Sequence, residues 1–151
     1  MKSYKTDQEK FWAGEFGNLY IDRNKSDQLM ASNLEYFSKS LKAAIGIQSV
    51  IEFGANIGMN LKALKLLRPG IALKGIEINK DAAAVLEEVI GEENVYLESI
   101  LDFVPPSKSD LVLLKGVLIH INPDALSSLY QTMYDSSNKY ILVGEYYNPS
   151  P

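Results

Sequence analysis

Two short blocks of this 151-residue chain carry residue types that could do chemistry together. The first is Glu52-Phe53-Gly54-Ala55-Asn56-Ile57-Gly58. Gly54 and Gly58 lack the Cβ that would block a sharp turn or a close ligand. Asn56 is one of the few side chains that tolerate the left-handed backbone region. A helix starting just after this loop would offer free N–H groups to an anionic ligand group. The second block centres on Glu77, about 20 residues further on, where a carboxylate can accept both hydroxyls of a ribose and would repel a 2′-phosphate. Each has a plainer reading, a tight strand-to-helix turn for the loop and a solvated strand-end carboxylate for Glu77. Together they imply an adenosine-bearing ligand. A dinucleotide fingerprint would want glycine at 54, 56 and 59, where this chain has Asn56 and Met59, and the Gly-Lys-Ser/Thr of a P-loop is missing.

His120, the single histidine, could draw a proton from an acceptor hydroxyl, or could simply bond backbone at a helix entry. Group transfer needs alignment above all, since positioning alone supplies about 7–11 kcal/mol, while a base adds about 10²–10⁴-fold.

Composition narrows the alternatives. The chain has no cysteine, so disulfide scaffolds, cysteine nucleophiles and Cys/His zinc sites fall away, and no metal is expected. With 46% apolar and 23% charged residues it can bury a core. A net charge of −4 argues against nucleic acid or an anionic membrane as partner. The first ten residues lack the apolar run of a secretory signal, and no stretch approaches the ~20 apolar residues that span a bilayer. A soluble cytoplasmic protein is the expectation.

These residues must be positioned by something, and the pattern alternates strand and helix. Thr6-Asp7-Gln8-Glu9 fits a capping box opening a short helix with Phe11 and Trp12, ended by Gly14 and Gly17. A longer helix capped by Ser26 or Asp27 carries Met30, Leu34, Phe37, Leu41 and Ala44 at helical spacing and stops at Gly46. Strands follow at 49–53, 73–77, 95–98, 111–114 and 140–143, and helices at 61–67 and 80–90. A last helix follows Asn122-Pro123, with Leu126, Leu129, Tyr130 and Met133 as its buried stripe. Alternation of this kind predicts an α/β, doubly wound parallel sheet of order 3-2-1-4-5, with ligands at the carboxyl ends of the strands. Residues 1–46 would form an N-terminal helical cap or lid, and 47–151 the Rossmann-like binding core of a single domain.

The blocks Val50 to Gly58, Ile76-Glu77-Ile78, Ser99-Ile100-Leu101-Asp102 and Asp110 to Ile121 resemble the ordered motifs of class I S-adenosylmethionine-dependent methyltransferases. Phe11 to Gly17, Lys115 to Pro123 and Glu145 to Pro151 further resemble the pseudaminic acid biosynthesis-associated methylase family. The resemblance implies S-adenosylmethionine as cofactor, with Gly54, Ala55, Asn56 and Gly58 near its methionine half. It also implies Glu77 on the ribose, Ile78 against the adenine, and Ser99 and Ile100 at the adenine edge. Ser99 stands where many relatives have an acidic residue. Lys115 and Gly116 would lie beside the amino group and sulfonium. Trp12, Tyr20 and Arg23 could form a lid, with Arg23 or Tyr20 reaching the cofactor carboxylate, or could be a core tryptophan and a surface arginine. Tyr146, Tyr147 and Asn148 could line an acceptor pocket.

The implied function is methyl transfer to a small molecule, possibly a sugar or nucleotide sugar in bacterial nonulosonate or surface-glycan synthesis. The alternatives are a cofactor-binding module without catalysis and an NAD-dependent oxidoreductase. The resemblance also implies a further helix and a final strand pair, which this sequence lacks. An exposed Tyr140-Ile141-Leu142-Val143 edge would then be a route to homo-oligomers.

Overall fold

The strand at Ser49–Phe53 (β1) alternates its side chains between two apolar surfaces. Val50 packs with Leu111 and Leu113 against helices, while Ile51 and Phe53 pack with Val112 and Leu114 on the other face. A strand buried on both faces must have helices on both sides, and this dictates the layers. A computed structural model describes residues 4–146. Ala72–Glu77 (β2), Val95–Leu97 (β3), Ser109–Lys115 (β4) and Ser137–Gly144 (β5) complete a five-stranded sheet of order β3-β2-β1-β4-β5, each adjacent pair parallel.

Helices follow in the order α1 (Asp7–Ala13), α2 (Glu15–Ile21), α3 (Asp27–Ser40), α4 (Met59–Leu67), α5 (Lys80–Ile90) and α6 (Leu126–Asp135). One face of the sheet is covered by Phe37 of α3, Leu61 and Leu64 of α4, and Leu86 of α5. The other is covered by Leu129 and Met133 of α6 and by Ile100 and Phe103 of the β3–β4 connection. The crossovers run to one side of β1 through α4 and α5 and to the other through α6, so the strand order reverses between β1 and β4. A crevice opens there at the carboxyl ends of the strands.

The predicted strand order and every predicted strand are present, and the capping box at Thr6 and Glu9 closes as the spacing requires. Three details differ. Gly17 does not end the first helix but lies within α2, where a Cβ would come within 2.0 Å of the Trp12 carbonyl oxygen and 2.7 Å of Asn79 Nδ2. Glycine is there for close approach. The long helix stops at Ser40, six residues before Gly46, with the buried Leu41 as its C-cap. Tyr130 is not part of the buried stripe of α6; it is 49% exposed while Leu129 and Met133 carry the contact.

Candidate functional site

The loop after β1 is built on three left-handed residues in five: Gly54 at φ +73°, Asn56 at +48° and Gly58 at +78°. Asn56 pays for this conformation locally, since its backbone N–H donates to Glu77 Oε2 at 2.7 Å. Gly58 opens α4 without any side-chain cap, and a Cβ there would meet Leu86 Cδ1 at 2.6 Å. The loop therefore folds tightly onto the end of β2 and leaves the start of α4 free.

Glu77 is 93% buried by its 7% exposure, at the last position of β2. Its Oε1 accepts the backbone N–H of Asn79 at 2.7 Å and its Oε2 that of Asn56. Burial pushes its pKa up, and the backbone N–H groups of Asn79, Asn56 and Ile78 oppose that shift. Each carboxylate oxygen keeps a second lone-pair site, so the group is fixed in place yet still able to accept two hydroxyls.

Asn79 ties this centre to the rest of the chain. Its Oδ1 caps α5 by accepting from Asp81 and Ala82 at 3.0 Å, and its Nδ2 donates to the Trp12 carbonyl at 3.1 Å and to Asn18 Oδ1 at 2.7 Å. Sequence alone gives only the cap; the link to α1 and α2 carries no local signal.

A cavity of about 240 Å³ runs along the strand ends, far larger than the voids of a packed core. Gly54, Ala55, Asn56, Glu77, Ile78, Ser99, Ile100, Lys115, Gly116 and His120 all line it. Gly58 does not; it shapes the turn from behind. Four strand ends contribute, in the order β3, β2, β1, β4, and at about 4.8 Å per strand they span about 14 Å. Among the described residues no group of three acidic, histidine or cysteine side chains is placed to hold a metal ion.

From the N-terminal segment, Trp12 and Tyr20 line the cavity and Arg23 does not: it is exposed in the turn after α2. Of the two readings of Arg23, the surface arginine holds and the one that reaches a ligand does not. Trp12 packs edge-on against Phe16 and Tyr20, and its ring lies 4.6 Å from that of His120. Burial lowers the pKa of His120, against an opposing pull from Glu145, so the ring is neutral near pH 7. Tyr146 borders the cavity and is 80% exposed, while Tyr147 and Asn148 lie outside the described residues.

Three polar residues were not singled out by their sequence positions. Asn33 of α3, 2% exposed, lines the cavity. Glu52, 1% exposed, accepts from Asn60 Nδ2 at 2.6 Å through Oε1, while its Oε2 is buried and unpartnered. Burial pushes the Glu52 pKa up to about 8, with the Asn60 hydrogen bond and the Lys115 charge opposing. Glu9 of α1, 7% exposed, stands in the wall beside Ser99. Glu52 does not line the cavity itself but bonds Asn60, which does, and only packing reveals such a placement.

The fold defined by this sheet is the Rossmann-like, doubly wound fold, and solved structures share it. The chain is similar to the sugar N-methyltransferase KedS8 from a Streptoalloteichus species, at 16% identity and a TM-score of 0.71, over 99% of this chain and 59% of that one. It is similar to the plantazolicin methyltransferase BpumL solved with SAH, at 14% identity and TM-score 0.71, over 90% of this chain and 56% of that one. A SAM-dependent methyltransferase from Archaeoglobus fulgidus shares 18% identity at TM-score 0.66, over 85% of this chain and 57% of that one. The chain thus spans under two thirds of the length of these structures. No protein-family model and no curated protein matches the sequence.

Proposed function

We propose that the cavity binds S-adenosylmethionine and that the protein transfers its methyl group to a small-molecule acceptor. The observation that carries this reading is Glu77, a buried carboxylate clamped by the N–H groups of Asn56 and Asn79 midway along the crevice. Clamped there, it can accept two vicinal ribose hydroxyls without moving. The unpartnered Oδ1 of Asn56 and the amides of Asn33 and Asn60, all in the lining, suit a ligand that brings its own ammonium and carboxylate. Gly54, Ala55, Asn56 and Lys115–Gly116 would border that amino-acid end, Ile78 the base, and Ile100 with Ser99 the far edge.

The bound sulfonium would supply an electrophilic methyl group. The chain's own residues would align the acceptor: Trp12, Tyr20 and Tyr146 form an apolar mouth, and a neutral His120 at that mouth can take the acceptor's proton. The aromatic mouth is compatible with a sugar-derived acceptor, including a nucleotide sugar in bacterial nonulosonate or surface-glycan synthesis. That finer reading rests on the pseudaminic acid methylase resemblance and on the likeness to a sugar N-methyltransferase. In this reading residues 1–46 act as a cap over the core. The exposed β5 strand, with Ile141 and Val143 each 43% exposed, would allow copies to associate edge to edge.

Calorimetric titration with S-adenosylhomocysteine and, in parallel, with NAD tests the reading. Binding of the first and not the second is expected, and binding of NAD alone would replace it with an oxidoreductase. Binding of the first without methyl transfer to any sugar acceptor would remove the sugar reading, and without transfer to any small molecule would leave a binding module.

A further inference from the structure

Resting on the S-adenosylmethionine reading, we infer that Glu9, on the helix that precedes the sheet, reads the adenine ring by accepting its exocyclic amino group. Glu9 is the third residue of α1 and is 93% buried by its 7% exposure, in the cavity wall at the β3 end. Its Oε2 accepts the Thr6 backbone N–H at 2.8 Å, which closes the capping box. Its Oε1 accepts the Ser99 hydroxyl, and the Ser99 oxygen in turn accepts the Leu101 N–H at 3.1 Å. Ser99 is thereby committed as a donor to Glu9. It has no proton left for a ligand and acts as the residue that positions the carboxylate.

Oε1 retains one lone-pair site in a residue that lines the cavity. Beside it, Ile100 lines the same wall, and its backbone N–H donates to no group among the described residues. An acceptor next to a donor complements the adenine edge, which presents an amino donor beside an unprotonated ring nitrogen. A 6-oxo purine presents the reverse, a carbonyl oxygen beside a ring N–H. It would set oxygen against the carboxylate and N–H against N–H. Burial makes that mismatch costly, because a desolvated group without a partner gets no help from water. The same helix carries Trp12, so seating the base against Glu9 also fixes the aromatic wall beside His120.

The test compares S-adenosylhomocysteine with S-inosylhomocysteine, its 6-oxo counterpart, on the wild type and on Glu9→Gln by calorimetry. Glutamine at the third helical position preserves a capping box, so the helix should persist. The expected result is wild-type discrimination of at least about tenfold in favour of the adenosyl ligand, falling to within about threefold in Glu9→Gln, whose amide can donate to a 6-oxo group. Ser99→Ala should lower the ratio by a smaller factor, since it only loosens the carboxylate. An unchanged ratio in Glu9→Gln overturns the assignment. Failure of both ligands to bind the wild type overturns the cofactor reading beneath it, which is a separate and distinguishable result.

Discussion

The two ends of the cavity are built on opposite plans. At the β3 end the side-chain polar groups arrive already paired: Glu9 holds Thr6 and Ser99, and Ser99 holds Leu101. At the β1–β4 end one is left open: Asn56 Oδ1, in the lining, is buried without a partner. A preformed donor–acceptor pair suits a rigid ring that must be recognised by its edge, because little entropy is lost on either side. Open polar groups suit a flexible, charged tail that brings its own partners. Glu77 sits between the two and is itself clamped, so it serves as the fixed point from which both ends are measured.

That contrast can be broken at several points. The largest effect belongs to the shared fixed point. Glu77→Ala removes the ribose acceptor and strands two backbone donors, and should weaken S-adenosylhomocysteine binding by at least about tenfold, by calorimetry. Retained affinity would mean the ligand does not use the centre of the crevice. The next test separates the ends. Asn33→Leu should weaken S-adenosylhomocysteine about fivefold yet leave 5′-methylthioadenosine, which lacks the amino-acid tail, unchanged. Equal loss for both ligands would erase the distinction between the ends.

A third test needs no ligand. The folded-state pKa of Glu52 is about 8 against an ordinary value of 4.5, so between those two values the folded chain holds a proton that the unfolded chain has released. Stability contributed by this site is therefore present on the acid side and lost as pH rises toward 8. Glu52→Gln keeps the hydrogen bond from Asn60 and cannot titrate. Its melting temperature should gain on the wild type by several degrees between pH 5 and pH 8, read by scanning calorimetry. A parallel pair of curves would show that Glu52 ionises freely. The smallest effect concerns the sheet edge. Val143→Lys should suppress any concentration-dependent mass increase in light scattering, and a wild type that stays monomeric would remove edge pairing from the account.

Much of the frame was legible from local physics. Thr6 and Glu9 specify a capping box by spacing, and the box is there. Asn79 and Gly91 mark both ends of α5. Tyr130 misled because helical spacing cannot tell which flank of an apolar stripe meets the sheet, and α6 turns that ring to solvent. Arg23 stayed open between two readings for a related reason: charge and proximity in sequence say nothing about where the turn after α2 carries a side chain.

By itself, the sequence determined the period of its apolar residues, its caps and its tight turns, and hence the parallel sheet and the loop beside Glu77. Those signals act over a few residues, where sterics and backbone hydrogen bonding dominate. Only the tertiary structure decided that Glu9 meets Ser99 across 90 positions and Asn79 holds Trp12 across 67. It also decided that Asn33 faces a cavity instead of solvent. Such pairings are set by which faces the core must bury, and that constraint exists only once the whole chain has closed on itself.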